Sequence, residues 1–256
     1  MTTLRAYLAL GTVLLALLLM DPVQRLVVAP WARLAPSRRI QIFTAWQRLA
    51  ATVVLGTFRS VGGARLPAIP PVPGREGVLV LMNHQSVLDI PLVVDAVRGS
   101  YPRIVTRSRY QRWIPLVSHM VRLYQYPTVD PTTGSHEARQ QIEGIAQAAR
   151  TADVPLVIFP EGTRTRDGEI GRFRTRGLAA ILAQRPWEVW VLVADGFWER
   201  AKMRQLLGGM SAIQGKVTLS GPYSWDDPTA DPGPFIEEMR EVMVSRLAEV
   251  RAGVPA

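Results

Sequence analysis

Between Val78 and Val193 the chain alternates short unbroken apolar runs with longer segments whose apolar positions recur every three or four residues. Val78 to Met82, Leu156 to Phe159 and Val189 to Val193 are the runs, and apolarity without alternation over so few residues marks strands covered on both faces. Ile90 to Val97, Trp113 to Tyr124 and Ser135 to Arg150 read as helices between them. In the last, Ala138, Ile142, Ile145 and Ala149 form the stripe to be buried. Strands alternating with helices predict an α/β fold, a largely parallel sheet flanked by helices. Lys216 to Ser220 adds a late strand, and Ile236, Met239, Met243, Leu247 and Val250 predict a C-terminal amphipathic helix.

The first part of the chain is patterned differently. Ala6 to Met20 carries no charge and as a helix reaches roughly 22 Å, short of the roughly 30 Å hydrocarbon core of a bilayer. Pro22 to Pro36 reads as an interfacial connector, and Ile40, Phe43, Trp46, Leu49, Val53 and Val54 then form one face of an amphipathic helix, either packed on the domain or lying in the membrane interface. The expectation is an N-terminal membrane-docking helical element over 1–61, a glycine- and proline-rich linker over 62–76, and one main domain over 77–256. A cleaved signal peptide ending at Val27 and Ala29 is the competing reading, and Pro30 directly after that site speaks against it. If the first helix spans, Arg25, Arg33, Arg38 and Arg39 outweigh Arg5 and place the body on the cytoplasmic face of the inner or plasma membrane.

Composition narrows the function classes. The 256 residues carry a formal net charge of +9, almost all of the basic side chains being arginine, so the partners to expect bear phosphate. No helix-turn-helix, zinc pattern or aromatic RNA-binding stretch accompanies that charge, which makes nucleic acid the weaker reading, and no nucleic-acid partner is expected. With zero cysteines there is neither a disulfide nor a thiol nucleophile, and no metal set is expected.

Two strand-to-turn junctions hold the chemistry. The first is Asn83-His84-Gln85-Ser86-Val87-Leu88-Asp89. A histidine in the turn, with a carboxylate at the start of the following helix, can form a general base and its orienting partner. Taken alone, the pair reads first as a core-edge histidine beside a helix-capping aspartate. Ser86 occupies a first-turn capping position, and no Gly-x-Ser-x-Gly elbow surrounds it. The second junction is Phe159-Pro160-Glu161-Gly162-Thr163-Arg164, where Arg164 is a natural phosphate ligand and Gly162 lets backbone approach a ligand closely.

Together the two junctions resemble those of the glycerolipid acyltransferase family, best known for the 1-acylglycerol-3-phosphate acyltransferases. The similarity runs from about Gly77 to Ser220. It implies transfer of a fatty acyl group from acyl-CoA or acyl carrier protein, as donor substrate and with no resident cofactor, to the hydroxyl of a membrane lysophospholipid. It implies catalytic roles for His84 and Asp89 and an acceptor or phosphate role for Glu161, Gly162, Thr163 and Arg164. Glu161 is expected to orient Arg164 or to accept from the acceptor's glycerol. The family's middle motif is altered: Gln125 stands where that motif has glycine and Pro131 where it has a phosphate-binding arginine, leaving Arg107 or Arg109 to supply the cation. That departure puts the acceptor in question, between lysophosphatidic acid and another lyso-lipid or amino-lipid. A non-catalytic lipid-binding protein on the same fold is the alternative from another class. His119 and His136 read as ordinary helix residues, and Trp187, Trp190 and Trp198 as core or pocket wall.

Overall fold

A computed structural model describes residues 2–201 and 203–253, so positions 202 and 254–256 of the expected domain lie outside it. The chain opens with α1 (Thr2–Val23), a π-helical turn over Gln24–Val28 and α2 (Ala29–Leu34), followed by α3 (Arg39–Ser60). Next come β1 (Val72–Pro73), β2 (Val78–Met82), α4 (Asp89–Ala96), β3 (Val97–Arg98), β4 (Arg103–Ile104), β5 (Thr106–Arg107) and α5 (Val117–Leu123). The remainder is β6 (Thr128–Val129), α6 (Ser135–Arg150), β7 (Leu156–Ile158), α7 (Thr175–Leu182), β8 (Trp187–Asp195), α8 (Met203–Gly209), β9 (Lys216–Trp225) and α9 (Pro232–Ala252).

The main sheet has the order β4-β7-β2-β8-β9 and is parallel except for β9. Successive residues of β2 face opposite layers, as a pleated strand requires. Val78, Val80 and Met82 join a core built with α3 and α4, while Leu79 and Leu81 join one built with α6, α7 and α9. The predicted α/β fold is therefore the observed one.

The N-terminal element departs from its expected form. Instead of a short helix and a connector, α1, the π turn and α2 make one rod from Thr3 to Leu34, 32 residues or about 48 Å at 1.5 Å per residue. Pro30 lacks the N–H that would close a turn on Leu26; the helix widens just before it, and the Ala29 amide reaches Gln24 instead. A narrow stripe of the rod, including Ala6, Ala9, Gln24, Val28 and Ala32, is buried against the body. Leu4, Leu8, Leu15, Leu19, Leu26 and Leu34 point outward.

Two further expectations are corrected, and of the two readings of the amphipathic helix the packed one holds. The Trp113–Tyr124 helix shrinks to α5, because Pro115 disfavours helical backbone at Ile114 and both Trp113 and Leu116 adopt positive φ. The 62–76 stretch is packed: Ala64, Ile69 and Val72 are buried, and β1 pairs with β3. The amphipathic α3 contributes Ile42, Phe43, Leu55 and Phe58 to the same core as the sheet, so it is a layer of the body.

Candidate active site

β2 and β7 lie side by side and end at the same edge of the sheet, which brings their two following loops together. Both motifs thus meet where ligands of parallel α/β sheets are commonly bound. Asp89 begins α4 and is wholly buried. Its Oδ2 stands 2.7 Å from His84 Nδ1 and accepts the backbone N–H groups of Gln85 at 2.6 Å and Ser86 at 2.7 Å. A carboxylate so fixed holds the imidazole by one nitrogen. The other, Nε2, has no partner among the described residues, and the His84 side chain is 22% exposed. Its ring lies 4.5 Å from that of Phe159. Ser86 is buried, and its Oγ accepts the Leu88 N–H at 3.0 Å.

The loop is clamped on its far side as well. Asn83 exchanges two hydrogen bonds of 2.8 Å with the backbone of Ala194, and Gln85 accepts the Phe197 N–H while donating to Asp195. Nothing assigns these two residues from spacing. The available signal is that polar side chains directly after a wholly apolar buried strand must find partners at depth.

Of the two roles expected of Glu161, that of orienting Arg164 is not seen in its hydrogen bonds. Its carboxylate is turned inward, accepting the His84 N–H at 2.9 Å with Oε1 and the Gly171 N–H at 2.9 Å with Oε2, and among the described residues no hydrogen bond or ion pair joins it to Arg164. Burial pushes its pKa above the ordinary glutamate value, against the pull of those two amides. Thr165 adds a return bond to the His84 carbonyl at 2.8 Å. Gly162 has φ +66°, and a Cβ there would stand 2.5 Å from the Arg174 side chain, so the close approach requires glycine. Thr163 is exposed, and Arg164 donates to the Ala201 carbonyl at 2.9 Å.

Arg107 and Arg109 separate in role. Arg107, on β5, donates to the Gly162 carbonyl at 3.2 Å, which joins it to the second loop. Arg109 is exposed and packs on Tyr110, 4.9 Å from the ring centre. Both line a cleft of about 180 Å³ together with Asp130 and Pro131. The parallel pairing of β5 with β6 places them beside the proline of the altered motif. Among the described residues no group of three or more His, Cys, Asp or Glu is placed to hold a metal ion.

His119 is more than a helix residue. Its Nδ1 lies 2.9 Å from Gln24 Nε2, which also donates to the Leu116 carbonyl, while Gln24 Oε1 accepts from Trp46. Gln24 is wholly buried. Trp187 is core and donates to the Ile181 carbonyl, and Trp190 donates to Glu188.

A family model described as Acyltransferase matches residues 62–191. A 1-acyl-sn-glycerol-3-phosphate acyltransferase from Cocos nucifera is 26% identical over 129 residues, 49% of this chain and 41% of that protein. The match thus spans less than half the length of that relative. The crystal structure of the 1-acyl-sn-glycerophosphate acyltransferase PlsC from Thermotoga maritima has a TM-score of 0.59 and 16% identity, covering 91% of this chain and 98% of that one. At that identity the likeness is one of fold.

Proposed function

This chain belongs to the acyltransferase family, and from that premise we propose that it moves a fatty acyl group from acyl-CoA or acyl carrier protein to the free hydroxyl of a lysophospholipid. The acceptor we favour is 1-acylglycerol-3-phosphate, with phosphatidic acid as product. The observation that carries the reading is the His84 and Asp89 pair, with Nδ1 held at 2.7 Å by a carboxylate that two backbone amides fix in place.

His84 Nε2 takes the proton of the acceptor hydroxyl as its oxygen attacks the thioester carbonyl. Asp89 accepts from Nδ1 and stabilises the imidazolium. The tetrahedral intermediate then collapses with cleavage of the C–S bond, and the proton passes from His84 to the departing thiolate. General base catalysis of this kind contributes on the order of 10²- to 10⁴-fold. Ser86 is not the nucleophile in this scheme, because its oxygen is buried and engaged in the turn. Arg107 and Arg109 supply the cations beside Pro131 for the acceptor's phosphate, and Arg164 retains donors beyond the one given to Ala201.

The lipid is taken from a membrane. Each buried methylene is worth about 0.8 kcal/mol, so drawing a long acyl chain wholly into water costs on the order of 10 kcal/mol. The outward leucines of the N-terminal rod are the surface that docks, with the body on the cytoplasmic face. Exposed Val87 and Ile90, next to His84 in sequence, offer the chain an apolar path to the site.

Release of free thiol from acyl-CoA and from acylated carrier protein, over a panel of lyso-acceptors, tests the proposal. Acceptor-dependent release that His84→Ala abolishes is expected. No release above that variant with any acceptor sinks it.

A further inference from the structure

A second basic cavity opens at the other edge of the sheet. His84 follows the end of β2, whereas Arg103 begins β4 in register with Leu156, the first residue of β7. The cavity has a volume of about 290 Å³ and is lined by Arg33, Arg39, Arg103 and Arg122, with Tyr101 and Gln125 between them.

Charge is undercompensated there. Asp153 is shared, accepting from Arg39 at 2.7 Å and from Arg103 at 3.0 Å. Arg122 donates to the backbone carbonyl of Gln111, and Arg33 has no partner among the described residues. Four guanidinium groups against one carboxylate leave a net charge of +3 (4 − 1) around a concave surface. The Arg103 side chain is only 6% exposed, and its Nε is buried without a hydrogen-bond partner. Only one of the four guanidinium charges is balanced by Asp153, and an anion in the cavity offsets the repulsion among the rest. Guanidinium groups suit phosphate because each can hold two of its oxygens at once.

The wall of this cavity tells which phosphate. Ala29 and Ala32 line it from α2, while Trp31 and Leu34 of the same helix are 53% and 85% exposed, at the end of the outward apolar rod. A phosphate bound here sits beside an apolar surface, the arrangement of a lipid head group. We propose that the cavity is a binding site for the phosphate head group of an anionic phospholipid of the bilayer, separate from the acyl-transfer site. It holds the domain to anionic membranes, and it rests on the membrane-docking part of the proposed function.

The test uses the full chain in flotation with vesicles of phosphatidylcholine alone and of phosphatidylcholine mixed with phosphatidylglycerol. Arg33→Gln with Arg122→Gln removes two charges from the cavity. Arg139→Gln with Arg176→Gln removes two from exposed positions on α6 and α7. The wild type should prefer anionic vesicles, and the cavity variant should lose that preference about tenfold or more. Its binding to phosphatidylcholine and its thiol release on detergent-dispersed acceptor should stay unchanged, and the control variant should keep the preference. Equal losses in both variants mean diffuse charge and overturn the proposal. So does a cavity variant with unaltered vesicle preference and a raised KM for acyl-CoA, which assigns the cavity to the donor's phosphates. If the wild type floats equally on both vesicles, only this site fails; if it floats on neither, the membrane reading fails with it.

Discussion

One carboxylate oxygen of Glu161 accepts the backbone N–H of His84 at 2.9 Å, joining loops that lie 77 positions apart in the chain. The other accepts Gly171 at the same distance, so a single buried side chain sets the spacing between the proposed base and the second loop. Glu161→Gln keeps the size but turns an amide NH₂ toward one of those N–H donors. Loss of a hydrogen bond to a charged group costs roughly 1.5 to 3 kcal/mol, so kcat should fall about 10- to 100-fold with a lowered Tm. Because burial raises the folded-state pKa, this group's contribution to stability is fully present below the unfolded value of 4.5 and declines as pH rises through the folded value. Denaturant titrations from pH 4 upward, wild type against Glu161→Gln, check the sign.

His84→Ala should lower kcat on the order of 10²- to 10⁴-fold while leaving the fold intact, since the side chain is partly exposed. Asp89→Asn is the sharper probe. An amide oxygen can keep the bonds from Gln85 and Ser86, and the new NH₂ faces Ser86 Oγ, 3.5 Å from Asp89 Oδ1. Its Tm should change little, while kcat falls about 10-fold or more from loss of the negative charge behind the imidazolium. Equal kcat for Asp89→Asn and wild type would remove the carboxylate from the mechanism.

Arg107→Ala should raise KM for lysophosphatidic acid about 10- to 100-fold, the worth of one hydrogen bond to a charged group. Arg109→Ala should have a smaller effect, because its guanidinium is exposed and shared with Tyr110. Initial rates with lysophosphatidic acid and with head-grouped lysophospholipids decide the matter. If lysophosphatidic acid is the poorer acceptor and neither variant weakens its use, the pocket beside Pro131 serves a different lipid.

Removing residues 1–61 would strip Ile42, Phe43, Leu55 and Phe58 from the core, so truncation cannot isolate the docking surface. Leu15→Ser, Leu19→Ser and Leu26→Ser act only on the outward face. Each forfeits roughly 1.5 to 3 kcal/mol of membrane burial, and the triple variant should lose vesicle flotation while keeping its Tm. Unaltered flotation would move the docking surface elsewhere.

Gln24 is the polar node that fastens the rod to Leu116, His119 and Trp46. Gln24→Ala strands those partners and should cost about 1 to 3 kcal/mol per buried group left unpaired. Burial lowers the His119 pKa, so its contribution is present above the ordinary value of 6.5 and is lost as pH falls through the folded value. The penalty of Gln24→Ala should therefore shrink in acid, which melting curves from pH 7.5 down to 5 would show.

The sequence by itself determined the layers of this protein and the residue types at its candidate site. Short apolar runs at Val78, Leu156 and Val189, each bounded by polar turns, read as strands covered on both faces, and that pattern is local information. Tertiary structure alone decided how those pieces face one another. The edge strand Arg103–Ile104 is two residues long and exists only because β7 pairs with it, so no local pattern announces it. The direction of the Glu161 carboxylate depended on where unpaired N–H groups lay across the sheet edge, at His84 and Gly171. The path through Pro30 followed from packing: the rod's buried stripe and the bonds of Gln24 favour a continuous, widened helix over the connector expected from Pro22 to Pro36. In each case the deciding energy came from contacts between distant segments, which a chain read in order does not contain.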